Sequence, residues 1–136
     1  QFFDLAAQLH FDALAILEQS GADAVMVGRA HYGAPWLAGS IAALASGVPA
    51  AGVPVGPEAM ADYVSAHYED MLSLYGRESG VRQARKHLGW YLDRNVPAVS
   101  VDLRRAILTS FEPEKVMAAM RDALLRSEET LVRSAA

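Results

Sequence analysis

From Pro57 onward the chain repeats one pattern: an amphipathic helical stretch, a breaker, then another such stretch. Over residues 57–75, Met60, Val64, His67, Tyr68, Met71, Leu74 and Tyr75 fall on one stripe at the helical period. Glu58, Asp62, Glu69 and Asp70 lie off that stripe, and Gly76 stops it. The spacing predicts a second helix from about Ser79 to Arg94, stopped by Asn95 and Pro97. A third is predicted from about Ser100 to Thr109, with Ser100 as its N-cap. A fourth, from about Pro113 to Arg133, would bury Val116, Met117, Met120, Ala123, Leu124 and Leu131. None of these stripes can be buried alone. Short connections between four such helices imply an antiparallel bundle.

The first third reads differently. Phe2, Leu5, Ala6, Leu9, Ala13, Ile16 and Leu17 share one helical face, opposite Asp4, Gln8, Asp12 and Glu18, and Ser20-Gly21 ends the helix. The apolar run Ala22-Asp23-Ala24-Val25-Met26-Val27, bounded by Gly21 and Gly28, predicts a short buried strand. After Pro35-Trp36, residues 37–45 predict a second short helix ended by Gly47. A helix, a strand and a helix in that order make a piece of a parallel α/β unit. Residues 48–56, broken by Pro49, Gly52, Pro54 and Gly56, read as a linker between domains at 1–47 and 57–136. The expected fold is therefore mainly α: a leftover αβα piece, then a C-terminal four-helix bundle.

Composition excludes several classes. With 136 residues, 52% apolar and 21% charged, the chain can bury a core and is not a disordered tail. It has no cysteine, so it carries no disulfide scaffold, thiolate metal site or cysteine nucleophile. A net charge of −4 is not the profile of a stand-alone nucleic-acid binder. The longest uncharged stretch, residues 30–57, is interrupted by five Gly and four Pro, so no membrane span is expected. The start, Gln1-Phe2-Phe3-Asp4, has no basic region and reads as an internal cut rather than a signal peptide.

Charge is nevertheless uneven. Residues 58–70 hold four acids and no Lys or Arg. Arg77, Arg82, Arg85, Lys86, Arg94, Arg104 and Arg105 face Glu78, Asp93 and Asp102 over residues 77–105, an excess of four positive charges. On a helical wheel Arg82, Lys86 and Gly89 share one face, with Arg85 at its edge and Arg104 and Arg105 as an extension. Val81, Ala84, Leu88, Tyr91 and Leu92 form the opposite stripe. Such a strip suits a phosphate backbone, with Gly89 admitting close approach; the alternative is a solvated charged face. Gly28-Arg29 stands where a strand ends and a helix begins, a place where backbone N–H groups and a guanidinium hold phosphate. The alternative there is an ordinary loop with a surface arginine.

Other residues call for no chemistry. His67 sits on an apolar stripe and reads as a core histidine. His10 and His31 are isolated, and no metal-ligand spacing occurs. Met26, Met60, Met71, Met117 and Met120 have core spacing, the two Trp read as packing anchors, and Glu128-Glu129 reads as a solvated face.

Two motifs together carry a resemblance. Ser20-Gly-Ala-Asp-Ala-Val-Met-Val-Gly-Arg-Ala30, followed by Gly33-x-Pro35-Trp36, resembles the last strand-loop-helix of bacterial tRNA-dihydrouridine synthases, in particular the B-type subgroup once labelled nitrogen-regulation proteins. Arg82-x-x-Arg85-Lys86-His87-x-x-Trp90-Tyr91 resembles the signature of that family's C-terminal helical domain. The resemblance covers about Asp12 to Leu131. It implies an FMN-binding (β/α)8 TIM barrel followed by a helical tRNA-binding domain, in a cytoplasmic enzyme. That enzyme reduces particular uridines of tRNA to dihydrouridine, using NADPH to reduce the flavin and a loop cysteine to supply the proton. By position, Gly28 and Arg29 would hold the FMN phosphate. Arg82, Arg85, Lys86 and His87 would face tRNA, with Arg104 and Arg105 beside them.

The departures shape the expectation. This chain has no cysteine to act as the acid, and most of the barrel is missing. The family's Asn-Gly-Asp flavin loop has no counterpart in Phe2 to Phe11. His31 and Ala34 replace the commoner small residue and Arg or Asn. The expectation is a C-terminal piece that contributes tRNA binding, lacks synthase activity alone and holds FMN weakly or not at all. A lone strand at Ala24–Val27 would pair with a second copy or refold into helix. A protein-interaction or regulatory module without catalysis, using the acidic first bundle helix or the apolar residues 39–55, remains the alternative.

Overall fold

The computed structural model describes the backbone of residues 5–134 and the side chains of residues 12–127. The expected contributions of Phe2, Leu5, Ala6, Leu9, His10, Glu128, Glu129 and Leu131 fall outside the described side chains. The described residues form six α-helices and no strand: α1 (Leu5–Ser20), α2 (Leu37–Ala45), α3 (Pro57–Tyr75), α4 (Arg77–Asn95), α5 (Val101–Thr109) and α6 (Pro113–Ser134). The chain divides into two compact units, residues 1–53 and 54–136.

In the first unit α1 packs on α2 around Ala13, Leu37 and Ile41, with Leu14, Val25, Val27 and Ala30 against them. Ile16, expected on the buried face of α1, is exposed. Helix α2 is too short to cover the whole stripe, and Leu14 takes the contact instead. The chain ends α2 by donating Gly47 N–H to Leu44 O at 3.1 Å and Val48 N–H to Ala43 O at 3.0 Å, the paired bonds of a Schellman ending.

The buried strand expected at residues 22–27 does not form, and neither does the helical alternative. Val25 and Val27 lean on the small cluster while Met26, between them, is 91% exposed. That alternation is extended chain without a neighbour. A strand is held by ladder hydrogen bonds to a second strand, and the described residues supply none. Met26 is thus not a core methionine.

The second unit is the four-helix bundle. Helix α3 contacts α4 and α6, and α5 contacts α4 and α6. Its core is Ala61, Val64, Tyr68 and Met71 of α3, Val81, Ala84, Leu88, Tyr91 and Leu92 of α4, Ile107 of α5, and Val116, Met120, Ala123 and Leu124 of α6. The α4 stripe is buried as its periodicity predicts. Leu74 and Tyr75, expected on the α3 stripe, are exposed in its last turn.

The α3–α4 connection is a single residue. Gly76, at φ 77° and ψ 160°, ends one helix and caps the next, a conformation that a side chain would oppose. Helix α4 therefore starts at Arg77, earlier than its apolar pattern suggests. So tight a turn presses the first turn of α4 onto the last turns of α3. A Cβ at Gly80 would lie 2.8 Å from Leu72 Cα and 2.8 Å from the Met71 carbonyl oxygen. Ser100 caps α5 as expected, its Oγ accepting from Leu103 N–H at 3.2 Å. Arg77 forks onto both carboxylate oxygens of Glu114 at 3.1 Å, and Arg121 reaches Asp62 at 2.6 Å. These pairs tie α4 and α3 to α6.

Candidate functional site

The cationic residues of α4 separate into distinct environments. Arg82 is exposed and pairs with Glu78 one turn back, at 2.6 Å. Arg85 is half-buried: its Nη2 donates to the Thr109 carbonyl at 3.2 Å, and its guanidinium carbon lies 4.6 Å from the centre of the Phe111 ring. The Arg82 guanidinium carbon lies 6.0 Å from the same ring. Lys86 is exposed, with Nζ 6.0 Å from the Trp90 ring centre. Arg85, Lys86 and Arg105 make no ion pair among the described residues. Cations thus alternate with aromatic rings along one side of the bundle, each such contact contributing about 0.5–1 kcal/mol where exposed.

Helix α5 lies across part of the face expected to be free. Gly89 is buried, and its missing Cβ points toward Arg104 Nη2 and the Leu108 methyls at 3.8–4.0 Å. Gly89 therefore does not offer its backbone to a partner, which corrects the reading from the helical wheel. Arg104 reaches back from α5 to Asp93 at 2.7 Å and spends its charge there. Arg105, exposed on α5, stays available. The open part of the ridge is its amino-terminal half, Arg82 to Lys86, with Phe111 beside it.

His87 lies toward α3. Its ring meets His67 edge-on at 5.4 Å between centres and Trp90 at 5.0 Å. His67, read as a core histidine, is half-buried, and a hydrogen bond of 2.8 Å joins its Nδ1 to the Tyr91 hydroxyl. Burial lowers the His67 pKa, against a smaller raising effect of Asp70. Burial also raises the Tyr91 pKa, with the nearby Tyr63 adding to it. Both shifts favour the neutral pair, so this is a supporting hydrogen bond. Tyr68 Oη and Arg85 Nε are buried without a hydrogen-bond partner among the described residues.

Phe111 went unread in the sequence. A large aromatic in a polar turn, between Thr109-Ser110 and Glu112-Pro113, was the signal available. Its link to Arg82 and Arg85 comes from the packing of α5 against α4, which no local pattern reveals.

Gly28 and Arg29 lie in the other unit. Gly28 precedes a single 3-10 turn, Arg29–His31, and its carbonyl is bonded by the His31 Nδ1 and more loosely by the His31 N–H. Arg29 is exposed, and a Cβ on Gly28 would meet nothing within 4 Å. Without a sheet behind it, this turn builds no closed phosphate cradle, and the residues present do not fit a flavin phosphate by themselves. Among the described residues no group of three or more acids and histidines is placed to hold a metal, and no helix is long and apolar enough to cross a membrane.

Comparison with known proteins gives this geometry its context. Residues 8–129 match the family described as dihydrouridine synthase (Dus), and the chain belongs to that family. It is 45% identical over 113 residues to a probable tRNA-dihydrouridine synthase of Rhizobium leguminosarum bv. phaseoli, covering 83% of this chain and 33% of that protein. A probable tRNA-dihydrouridine synthase of Rhodobacter capsulatus is 45% identical over 112 residues, covering 82% and 33%. The tRNA-dihydrouridine synthase B of Xanthomonas axonopodis pv. citri is 39% identical over 113 residues, covering 81% and 32%. The chain thus spans about a third of the length of these relatives.

Proposed function

We propose that this chain is the C-terminal portion of a cytoplasmic, flavin-dependent tRNA-dihydrouridine synthase, and that its own contribution is to hold tRNA through the open half of the α4 ridge. The names of the relatives and the coverage of about a third support the parentage. The observation that carries the assignment is the exposed cation–aromatic ridge, falling on the same residues that resemble the family's helical-domain signature. Arg82, Arg85 and Lys86 would bind phosphates, and Arg105 would extend their field. His87, packed between His67 and Trp90, would set the Trp90 ring beside Lys86. Arg104, committed to Asp93, would brace α5.

In the parent enzyme, FMN reduced by NADPH would supply the hydride that saturates the uracil ring. Gly28 and Arg29 would meet the FMN phosphate only where the missing barrel strands complete the site. The chain alone, without cysteine, would not catalyse the reduction.

The test is retention of a tRNA transcript as a function of salt. The expected result is a steep loss of affinity with rising salt, with the log–log slope reduced by about 1 in Lys86→Ala or Arg82→Ala. No tRNA binding at moderate salt, or a slope untouched by both substitutions, would refute the reading. The first of these results is what a purely protein-binding helical module would give.

A further inference from the structure

The ridge carries more than charge. Phe111 is 56% exposed, in a turn whose backbone is tied on both sides. Ser110 Oγ accepts from Glu112 N–H at 3.1 Å across the turn, and Pro113 opens α6 immediately afterwards. On the other side, Arg85 is fixed against the ring by its bond to Thr109 O. A bulky apolar ring is ordinarily buried. Here it stands in a turn, with the Arg85 guanidinium 4.6 Å from its centre and the Arg82 guanidinium, paired with Glu78, 6.0 Å away. Tyr75, also half-exposed, has no cation over its ring among the described residues.

We propose that Phe111, with Arg85 and Arg82 against it, is a stacking platform for an unpaired nucleobase of the bound RNA. This deepens the proposed tRNA grip and rests on it. The platform offers a π-face for any base and adjacent positive charge for the flanking phosphate. It offers no arrangement of donors and acceptors along a base edge, so it selects unpaired over paired nucleotides rather than one base over another. A base within a continuous duplex keeps its face covered by its neighbours and cannot use the ring. A loop or splayed nucleotide can. Because Arg85 already lies against the ring, bonded to Thr109 O, that side chain has less freedom left to lose on binding.

The experiment compares three probes on the intact chain: a tRNA transcript, a long duplex RNA whose interior pairs far outnumber its ends, and single-stranded oligouridine. Phe111→Leu keeps an apolar side chain but removes the π-face, whereas Phe111→Tyr keeps the ring. The expected result for Phe111→Leu is a loss of about tenfold on tRNA and oligouridine, with duplex binding changed less than twofold. Phe111→Tyr should bind all three like the wild type. The salt slope should be unchanged in Phe111→Leu, because no charge is removed, while Arg82→Ala lowers it on every probe. A measurement on the wild type guards against misfolding: with phenylalanine ring protons observed by NMR, oligouridine should shift the Phe111 resonances upfield.

Equal losses on paired and unpaired probes, no loss on any probe, or an unmoved Phe111 resonance at saturation would overturn the platform. If the wild type also keeps its salt-dependent binding, the phosphate grip stands without the platform. If the wild type binds none of the probes at moderate salt, both fall.

Discussion

Two glycines on one helix should respond in opposite directions to the same substitution. In Gly80→Ala the new methyl would lie 2.8 Å from Leu72 Cα and 2.8 Å from the Met71 carbonyl oxygen. Both are backbone atoms, so no side-chain rotation relieves the clash and α4 must move away from α3. Forcing atoms into a packed contact costs about 1–3 kcal/mol, and a backbone obstacle argues for the upper end. Replacing glycine by alanine in a helix returns about 1 kcal/mol, leaving a net destabilisation of about 2 kcal/mol. In Gly89→Ala the methyl would meet the Arg104 guanidinium and the Leu108 methyls at 3.8–4.0 Å, ordinary contact distances. That variant keeps the propensity gain of about 1 kcal/mol. The two should differ by about 3 kcal/mol, read as urea midpoints on either side of the wild type and separated by about 1 M or more. Far-UV circular dichroism at matched protein concentration is the assay. A Gly80→Ala midpoint at or above the wild type, or a Gly89→Ala midpoint that falls as far as that of Gly80→Ala, would refute the account of the α3–α4 crossing.

Two further outcomes follow from the described geometry. Burial holds the His67 pKa below its ordinary value near 6.5, so the unfolded chain takes up this proton more readily than the folded one. Its contribution to stability is therefore present above about pH 6.5 and lost as pH falls from there through the lowered value. Urea midpoints at pH 7.5 and 5.5 should converge in His67→Gln relative to the wild type, and an unchanged pH dependence in that variant would remove His67 from the account. Amides of residues 23–27, which donate no backbone hydrogen bond, should exchange within the dead time of a hydrogen-exchange experiment while those of Leu88, Tyr91 and Leu92 persist. Slow exchange at 23–27 would reveal a paired strand.

The sequence was most legible where a local rule and a helical period coincide. Helix α3 runs between Gly56-Pro57 and Gly76 as its punctuation indicates, and α5 begins behind Ser100 with the predicted capping bond. The buried stripe of α4 was readable because five apolar residues recur at one helical angle. Three features were not readable, each for a physical reason. The apolar content of residues 22–27 matches that of a strand, but pairing is a property of two segments and the described residues hold no second one. The α4 wheel placed Gly89 with Arg82 and Lys86, and a wheel cannot know that α5 will cross its carboxyl-terminal half. Phe111 lies outside every periodic segment, so its position against Arg82 and Arg85 depends on how α5 meets α4.

The division of labour among the arginines explains how an acidic chain can present a cationic surface. Arg77, Arg104 and Arg121 each join one helix to another through a carboxylate. Arg82 is different, because Glu78 is a neighbour on the same helix and holds no two elements together. Exposed pairs of this kind contribute about 0.3–0.5 kcal/mol, so exchanging Glu78 for a phosphate oxygen costs little and leaves the bundle intact. Lys86 makes no ion pair among the described residues and so gives none up to a phosphate, whereas Arg85 joins α4 to the end of α5 through the Thr109 carbonyl and keeps its other nitrogens. The cations that fasten helices through carboxylates thus differ from Arg82 and Lys86, which hold no two helices together, and Arg85 alone stands between the two groups. The local excess of positive charge between residues 77 and 105 can serve both purposes, because the core of α3, α4 and α6, rather than the ion pairs, carries the stability of the unit.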